Sequence, residues 1–265
     1  MKLTIVKVGG AVVEDATSLS LLLDRFARIE GPKVLVHGGG RTATRLAERL
    51  DLPQQMVAGR RVTDAETLRV VTMVYAGLVN KNVVAQLQAR GVNALGLTGA
   101  DMGVILSHRR PPKRVTMPDG TESTIDYGYV GDIDRVNAQL LSELISQGVV
   151  PVVCPIGHDG QGTLLNTNAD TIAAEVAKAL AGTFSVSLVF CFEKRGVLRD
   201  ADDEASVISV ITRDEFPALV KQGVVSGGML PKLENAFDAI RCGVSEVVIT
   251  RHDAIGLPEA GTRLY

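Results

Sequence analysis

Short apolar runs alternate with stretches of helical periodicity along nearly the whole chain. LTIVKV, KVLVH and SVSLVF each suit one strand, and segments such as DTIAAEVAKALAG carry apolar residues at helical spacing between such runs. Strands separated by helices of ten or more residues form βα units, which join parallel strands. Uninterrupted apolar strands such as VVPVV indicate a sheet covered on both faces. The pattern therefore predicts an α/β fold, a three-layer αβα sandwich around a largely parallel open sheet.

Composition excludes several classes of protein. The chain has 265 residues and a net charge of −2, which does not favour a nucleic-acid-binding surface. The sequence has no signal-peptide pattern and no apolar run long enough to span a bilayer, so we expect a cytoplasmic protein without membrane contact. Cys154, Cys191 and Cys242 lack metal-ligand spacing. We therefore predict that they are core residues and that the protein holds no metal site of its own.

A long helical pattern departs from this alternation. It runs from Thr63 to about Arg90 and begins with Thr63-x-x-Glu66, the pattern of a capping box. Its apolar stripe is broader than one small core requires. The helix is therefore either a central core element or a dimer interface, since wide apolar faces also mark interfaces.

A second departure covers residues 107–134. Two adjacent prolines and the turn signal Pro118-Asp119-Gly120 predict a hairpin-like excursion or lid. A solvated loop and a clamp on a substrate anion are both compatible with its basic cluster. The members of this cluster are Arg109, Arg110, Lys113 and Arg114.

Glycine turns follow the first two predicted strands. Lys7 precedes the pair Gly9-Gly10, and Gly38–Gly40 opens a helix. In open α/β sheets, ligands bind at the carboxyl ends of strands, where glycines let backbone N–H groups approach an anion closely. Neither turn matches the dinucleotide-binding or the P-loop fingerprint. If the two strands are neighbours, their turns face one ligand and form a phosphoryl cradle beside the Lys7 ammonium.

The stretch LLNTNADTIA places three polar side chains around a predicted helix start. Asn166, Asn168 and Asp170 are all suited to helix capping, and we expect one of them to be the cap. Three such groups exceed what a cap requires. An amide is therefore available for a substrate, and a carboxylate for orienting a lysine.

Two further sites carry positive charge near predicted helix starts. Lys232, in GGMLPKLENA, falls in the first turn of a helix, where a cation opposes the macrodipole. Such local conflicts concentrate at functional sites, although a solvated lysine is the simpler interpretation. Arg60 and Arg61 precede the long helix. Either could hold a carboxylate through two hydrogen bonds or form a surface salt bridge.

With these motifs in this order along its sequence, the chain resembles the amino acid kinase family. The resemblance spans nearly the whole chain and rests on KVGG, LVHGGG, GRRVT, GLVNKNVV, GLTGAD, YGYVGDI, PVVCPIG, LLNTNADTIA and GGMLPKLENA. It implies a single kinase domain over residues 1–265. Within that domain, residues 1–182 would form a lobe for acylglutamate binding and dimerisation, and residues 183–265 an ATP-binding lobe.

The resemblance also implies a reaction and the residues that perform it. The expected activity is ATP-dependent phosphorylation of the γ-carboxylate of an N-acyl-L-glutamate, N-acetyl-L-glutamate, in arginine biosynthesis. Lys7 and Lys232 would stabilise the transferring phosphoryl group, and Asp170 would hold both lysines. The expected substrate-binding residues are Gly39, Gly40, Arg61 and Asn166. The expected nucleotide-binding residues are Gly9, Gly10, Gly196, Gly227 and Gly228.

Elementary chemistry agrees with this assignment. A γ-carboxylate has a pKa near 4.3 and is already a nucleophile at neutral pH, so no general base is needed. The obstacle is repulsion between the carboxylate and a polyanionic phosphate. Lysines, backbone N–H groups and a Mg²⁺ ion held mainly by ATP phosphates would offset that repulsion. His37, on the strand before the glycines, is therefore expected to be structural.

Departures from the family pattern keep alternatives open. Glu193 stands where the family usually has aspartate in an L-x-D-V-x-G stretch, so an inactive regulator that binds an amino acid or a nucleotide is possible. The basic residues 109–114 admit N-succinyl-L-glutamate, which carries one more carboxylate. Aspartate, glutamate, carbamate and uridylate kinases are the nearest enzymatic alternatives, but GRRVT with NTNAD favours an acylated amino acid.

The resemblance also implies an assembly. A homodimer would form through the helix at residues 64–90. Arginine-sensitive members of the family carry an additional N-terminal helix that links dimers into hexamers. Because Lys7 stands so near the first residue, the expectation is a dimer that arginine does not inhibit.

Overall fold

The structure is a computed structural model that describes residues 1–57, 59–116, 120–200, 202–226 and 229–265. The strands of these residues are β1 Lys2–Val8, β2 Lys33–His37, β3 Met56–Val57, β4 Arg60–Arg61, β5 Ala94–Leu97, β6 Ile105–Arg109, β7 Lys113–Thr116, β8 Glu122–Ile125, β9 Gly131–Val136, β10 Val150–Val153, β11 Ile156–His158, β12 Leu164–Asn166, β13 Ser185–Phe192, β14 Val210–Ile211, β15 Glu246–Arg251 and β16 Thr262–Leu264. The α-helices are α1 Gly10–Glu14, α2 Ala16–Arg28, α3 Gly40–Arg49, α4 Ala65–Thr72, α5 Asn80–Gln88, α6 Ala138–Ser146, α7 Ala169–Leu180, α8 Phe216–Lys221 and α9 Leu230–Arg241.

A central sheet of eight strands organises the molecule. Its order is β14-β16-β15-β13-β1-β2-β10-β5, and all neighbours are parallel except β15 and β16. The predicted α/β class and the largely parallel sheet are confirmed. The two strands that precede the glycine turns, β1 and β2, are direct neighbours. Their carboxyl ends therefore meet at one edge of the sheet, as ligand binding requires.

Alternate residues of each strand point to opposite sides of the sheet, so the sheet has two apolar faces. Helices cover both of them. On one side, Leu3 and Ile5 of β1 join a core with α6, α7 and α9. On the other, Val6 and Val8 join a core with α2, α3 and α4. Lys7 belongs to the face of Leu3 and Ile5 and so lies on the α7 side. In the described part of the chain, no helix is both long enough and apolar enough to cross a membrane.

The predicted long helix is present, but its start differs from the prediction. The N-cap is Asp64, whose carboxylate accepts a hydrogen bond from the Thr67 N–H at 2.7 Å, so the predicted capping box at Thr63 is wrong. Thr63 instead forms an isolated β-bridge with Gly128. Tertiary pairing has therefore displaced the cap by one residue.

A π-helical segment, Met73–Val79, joins α4 to α5. Its Tyr75 packs against the second glycine turn, where a Cβ on Gly39 would lie 2.9 Å from the ring. Single π turns inside α-helices often occur at functional sites.

The apolar stripe of the long helix is mostly buried in the core, but Met73 and Leu78 are 54% and 62% exposed.

A smaller sheet packs beside the central one in the order β12-β11-β6-β9. The run VVPVVCPI, which the sequence presents as one strand, is divided between β10 of the central sheet and β11 of the smaller sheet. The predicted excursion contains the antiparallel hairpin of β7 and β8. Pro118 and Asp119 of its predicted turn lie outside the described residues.

Two of the three cysteines are core residues, as predicted. Cys154 and Cys191 are buried, and burial raises the pKa of each thiol to about 12. Cys242 is exposed, so the prediction that it is a core residue is wrong. It lies at the C-cap of α9, where the chain leaves the helix on the surface.

Candidate active site

Two clefts open at the carboxyl ends of β1 and β2. The first cleft has a volume of about 210 Å³ and is lined by residues that include Gly10, Gly39, Gly40, Arg61, Tyr75 and Asn166. The second cleft has a volume of about 450 Å³ and is lined by residues that include Lys7, Gly9, Gly10, Gly40, Asp170, Phe192, Gly196 and Lys232. Gly10 and Gly40 line both clefts. The structure thus brings the two predicted glycine turns together as one shared wall.

The shared wall is a cradle of backbone amides. A Cβ on Gly10 would lie 3.6 Å from the Gly40 nitrogen, 3.8 Å from that of Gly39 and 4.0 Å from that of Arg41. These nitrogens belong to the start of α3, where N–H groups lack helical partners and carry partial positive charge. The space beside Gly10 therefore suits a phosphoryl or carboxylate oxygen.

Lys7 and Asp170 form a pair at the floor of the second cleft. The Lys7 Nζ lies 2.7 Å from Asp170 Oδ1, and Lys7 is only 7% exposed. Asp170 stands in the first turn of α7, where a carboxylate is favourable. Asn168 caps that helix by accepting hydrogen bonds from the Asp170 and Thr171 N–H groups, which confirms that one of the three polar residues is a cap.

Lys232 reaches the same cleft from the third residue of α9. Its Nζ lies 3.9 Å from the centroid of the Phe192 ring. Within the described residues Lys232 makes no ion pair, so Asp170 contacts one of the two lysines that it was expected to hold. Burial lowers the pKa of Lys232, while the Asp170 carboxylate raises it and the Lys7 ammonium lowers it.

Arg61, at the end of β4, and Asn166, at the end of β12, both line the first cleft. The buried Arg61 guanidinium donates hydrogen bonds to Gly40 O at 3.0 Å, to Thr44 Oγ1 at 2.8 Å and to the Gln54 side chain. Arg61 is therefore fixed in place before any ligand binds.

Asn166 is held in a similar way. Its Nδ2 donates to Thr63 Oγ1 at 3.0 Å. The Thr63 N–H donates to Tyr127 O, and Thr63 O accepts from the Tyr129 N–H at 2.7 Å. Gly128 lies between these two tyrosines at φ 69°, and a Cβ there would be 2.2 Å from Thr63 O. Only glycine allows this close approach, which connects three segments behind the first cleft.

His37 is buried beneath the glycine turn. Its Nδ1 donates to Gly38 O at 2.8 Å, and its Nε2 accepts from Asn80 Nδ2 at 3.1 Å. The Asn80 amide also donates to Val152 O. Burial lowers the pKa of His37 to about 4, so the ring is neutral. Both ring nitrogens are satisfied, in agreement with the structural role expected from the sequence.

The outer part of the second cleft is formed by the segment after β13. A Cβ on Gly196 would lie 2.7 Å from Thr262 Oγ1, so glycine is needed for this packing. Glu193 is 67% exposed and lies 3.5 Å from Arg41 of α3. Gly9 lines the cleft. Gly227 and Gly228 lie outside the described residues.

A third cavity, of about 280 Å³, adjoins the first cleft. Arg60 lines both, and Arg110, Lys113 and Arg114 line the third. Arg110 donates from Nε to Asp132 at 3.1 Å, which lowers the pKa of that carboxyl. The basic cluster is thus partly paired and partly open to the cavity. No group of three histidine, cysteine or acidic side chains in the described ranges could hold a metal ion.

Sequence reasoning missed three residues at these clefts. Phe192, Tyr75 and Gly128 each contact a residue that the sequence had singled out. Phe192 carries a detectable signal, since it directly precedes Glu193, the residue that departs from the family pattern. Gly128 lies in YGYVGDI, one of the stretches on which the resemblance rests, but no role of its own was expected. Tyr75 and Gly128 act through packing between distant segments, which spacing along the chain does not reveal.

Comparison with known proteins gives a family and a set of relatives. The model of the amino acid kinase family matches residues 2–251. An acetylglutamate kinase of Bacteroides fragilis is 62% identical over 263 residues, which cover 99% of this chain and 97% of the relative. The acetylglutamate kinase of Parabacteroides distasonis is 58% identical, with 100% and 99% covered, and that of Methanopyrus kandleri is 43% identical, with 95% and 96% covered.

Solved structures show the same fold. The protein smu.665 of Streptococcus mutans has a TM-score of 0.75 at 27% identity, and the match covers 99% of this chain and 98% of that one. An N-acetylglutamate synthase of Neisseria gonorrhoeae, complexed with coenzyme A and N-acetyl-glutamate, has a TM-score of 0.78 at 22% identity over 99% of this chain and 59% of that one.

Proposed function

Because the chain belongs to the amino acid kinase family, we propose that it transfers the γ-phosphoryl group of ATP to the γ-carboxylate of N-acetyl-L-glutamate in arginine biosynthesis. The product is an acyl phosphate. The observation that carries this proposal is the amide cradle in the wall between two clefts, with lysines on one side and a fixed arginine and amide on the other.

The first cleft binds the acceptor in this proposal. Arg61 pairs with the α-carboxylate, and Asn166 Oδ1 accepts a hydrogen bond from the acylated N–H. The Gly39 and Gly40 amides hold the γ-carboxylate against the wall. That carboxylate is ionised at neutral pH and attacks without a general base. The contribution of the protein is therefore positioning and relief of charge repulsion.

The second cleft binds ATP in this proposal, along Gly9, Gly10 and Gly196; Gly227 and Gly228, which lie outside the described residues, remain predicted nucleotide-binding residues. Lys7 and Lys232 offset the charge of the transferring group, and Asp170 fixes Lys7. The donor set fits a polyanion, since a Cβ on Gly10 would fill the space on which three backbone nitrogens converge. A Mg²⁺ ion carried by the ATP phosphates would supply further charge neutralisation.

The assembly also belongs to the proposal. We propose a cytoplasmic homodimer formed through residues 64–90, in which residues 1–182 bind the acceptor and residues 183–265 bind the nucleotide together with the glycine turn after β1. The exposed Met73 and Leu78 on the long helix, together with the exposed Leu95 on the edge strand β5, support this surface. Sedimentation tests this surface: the wild type should be a dimer and Leu78→Glu a monomer. A monomeric wild type would contradict the proposal.

N-succinyl-L-glutamate is a second candidate acceptor, favoured by one observation. The basic third cavity shares Arg60 with the first cleft, and Arg110 lies within it. A distal succinyl carboxylate could reach that charge. Substrate competition decides between the two acyl groups. A clear preference for the acetyl compound that persists in Arg110→Ala would exclude the succinyl alternative.

The reaction is tested by trapping its product. Hydroxylamine converts an acyl phosphate to a hydroxamate, so the protein is incubated with Mg-ATP, hydroxylamine and N-acetyl-L-glutamate, N-succinyl-L-glutamate or glutamate. Hydroxamate from one acylated substrate, lost in Lys7→Ala and Lys232→Ala, is the expected result. Nucleotide binding without hydroxamate from any of the three would contradict the proposal.

A further inference from the structure

Lys232 occupies a position that costs free energy. It stands in the first turn of α9, where the macrodipole opposes a cation, and the Lys7 ammonium reaches the same cleft. It is also partly withdrawn from water. A flexible lysine would normally turn toward solvent under these conditions. The Asp170 and Glu193 carboxylates attract its ammonium without forming an ion pair within the described residues, so a group in direct contact would add to its retention in the cleft.

Among the residues that the structure describes, the Phe192 ring contacts this ammonium. The Lys232 Nζ lies 3.9 Å from the ring centroid, and the Lys7 Nζ lies 5.6 Å from it. The face of an aromatic ring carries negative potential and attracts a cation within about 6 Å. One ring thus contacts both ammonium groups, with the shorter distance to the lysine that lacks an ion pair in the described part of the chain.

The ring itself is rigidly placed. Phe192 ends β13 and stacks on Phe190, with centroids 6.0 Å apart and an interplanar angle of 4°. Phe190 is a buried core residue on a central strand. The position of the ring is therefore set by the sheet and not by the mobile end of a side chain.

We propose that Phe192 is a positioning residue for phosphoryl transfer, whose ring holds the Lys232 ammonium at the amide cradle. This inference rests on the proposed function. The ring does for Lys232 what the Asp170 carboxylate does for Lys7. An uncharged ring leaves the full positive charge of Lys232 available to the phosphoryl group, whereas a second carboxylate would neutralise part of it.

Graded fluorination of the ring tests the proposal. Phe192 is replaced by mono-, di- and trifluorophenylalanine, which weaken the negative face of the ring with little change of shape. We expect kcat for hydroxamate formation to fall in that order, by about tenfold at trifluorophenylalanine, while KM for N-acetyl-L-glutamate is unchanged. Phe192→Leu should lower kcat at least as much. The same series at Phe26, whose ring contacts the Lys33 ammonium at 5.6 Å and lines neither cleft, is the matched control and should leave kcat unchanged.

A second readout does not depend on turnover. In protein labelled with ¹⁵N-lysine, the Lys232 side-chain signal, assigned through Lys232→Arg, reports the pKa of that ammonium. Weakening the ring–cation contact should lower this pKa progressively. An unchanged pKa, or a kcat that stays level or rises along the Phe192 series, would overturn the role of Phe192. If the wild type makes no hydroxamate while the pKa falls along the series, the proposed reaction fails but the ring–ammonium contact stands.

Discussion

The two clefts that share one wall are held together by different forces. In the first cleft, Arg61 and Asn166 are fixed by hydrogen bonds to neighbouring groups. In the second, Lys7 and Lys232 are held by one ion pair and one aromatic ring. Hydrogen bonds define direction, while charges act over longer range. The first cleft is thus suited to recognising one small molecule, and the second to stabilising charge that moves during a reaction.

The largest effect should come from removing charge in the second cleft. We expect Lys7→Met to lower kcat by about 10³-fold, because it removes a cation that stabilises the transferring phosphoryl group. KM for the acceptor should change little, since the first cleft is untouched. Steady-state hydroxamate kinetics measure both constants. Lys2→Met, on the same strand but exposed, is the control, and an equal loss there would contradict the assignment.

A substitution at Gly128, which supports the first cleft from behind, should lower the free energy of unfolding. In Gly128→Ala the new Cβ would meet Thr63 O at 2.2 Å at a positive φ. We expect the free energy of unfolding to fall by about 3 kcal/mol or more. Gly148→Ala, at a similar φ with open space around it, should cost only about 1 kcal/mol. Equal losses of unfolding free energy for the two variants in urea titrations would show that the positive φ, and not the close contact with Thr63 O, causes the destabilisation.

Acid should weaken the support beneath the shared wall. His37 has a pKa of about 4 in the folded protein and near 6.5 when unfolded, so unfolding takes up a proton between these values. Stability therefore falls as the pH falls from 6.5 to 4, by at most about 3 kcal/mol from this residue.

The contribution of His37 is isolated by substitution. His37→Gln should show a shallower loss of unfolding free energy across that pH window in urea titrations, whatever its stability at neutral pH. His108→Gln, which alters an exposed histidine, is the matched variant. An unchanged slope in His37→Gln would show that other groups dominate acid sensitivity.

The shared wall can be blocked without disturbing the fold. The nearest atoms to a Cβ on Gly10 are 3.6 Å or more away, which is ordinary contact, yet this Cβ would occupy the space on which the amides converge. We expect Gly10→Ala to lower kcat by about 10²-fold with unchanged stability. Gly182→Ala, which meets nothing within 4 Å, is the control. Normal turnover in Gly10→Ala would place the phosphoryl group elsewhere.

The smallest effect should be confined to recognition in the first cleft. We expect Asn166→Ala to raise KM for N-acetyl-L-glutamate by about tenfold, the value of one lost hydrogen bond of about 1.4 kcal/mol. kcat should stay within a few-fold of the wild type. Thr63→Val removes the partner of the Asn166 amide but leaves the amide itself. A kcat effect larger than the KM effect in Asn166→Ala would break the contrast between the two clefts.

Much of the fold could be predicted from the sequence, because each central strand carries its own apolar run. The two glycine turns, a cap among Asn166, Asn168 and Asp170, and the long helix all follow from local patterns, whereas the pairing of β1 with β2 was a condition that the structure meets. The N-cap at Asp64 did not, because pairing of Thr63 with Gly128, a contact over sixty residues, decides it. The division of VVPVVCPI between two sheets is likewise a tertiary effect.

The candidate site also contains positions that could be predicted from the sequence and a contact that could not. Lys7, Gly10, Gly40 and Asp170 line one cleft, and Asp170 lies beside Lys7 as the family resemblance implied. The partner of Lys232 could not be predicted in that way. The Phe192 ring at the end of β13 takes the place of the expected carboxylate contact, and no spacing rule connects it to Lys232, since β14 and α8 lie between them in the chain.

The shared wall has a consequence for the order of events. Gly10 and Gly40 line both clefts, so in the proposed arrangement the γ-phosphoryl group and the γ-carboxylate meet beside these two glycines with no side chain of the protein between them in the reaction. Displacement is then direct: the bond to the incoming oxygen forms as the bond to the departing oxygen breaks, on opposite sides of phosphorus. A chiral phosphoryl group should therefore invert its configuration. Isotope exchange between ADP and ATP should require the acceptor, because both substrates must be present together.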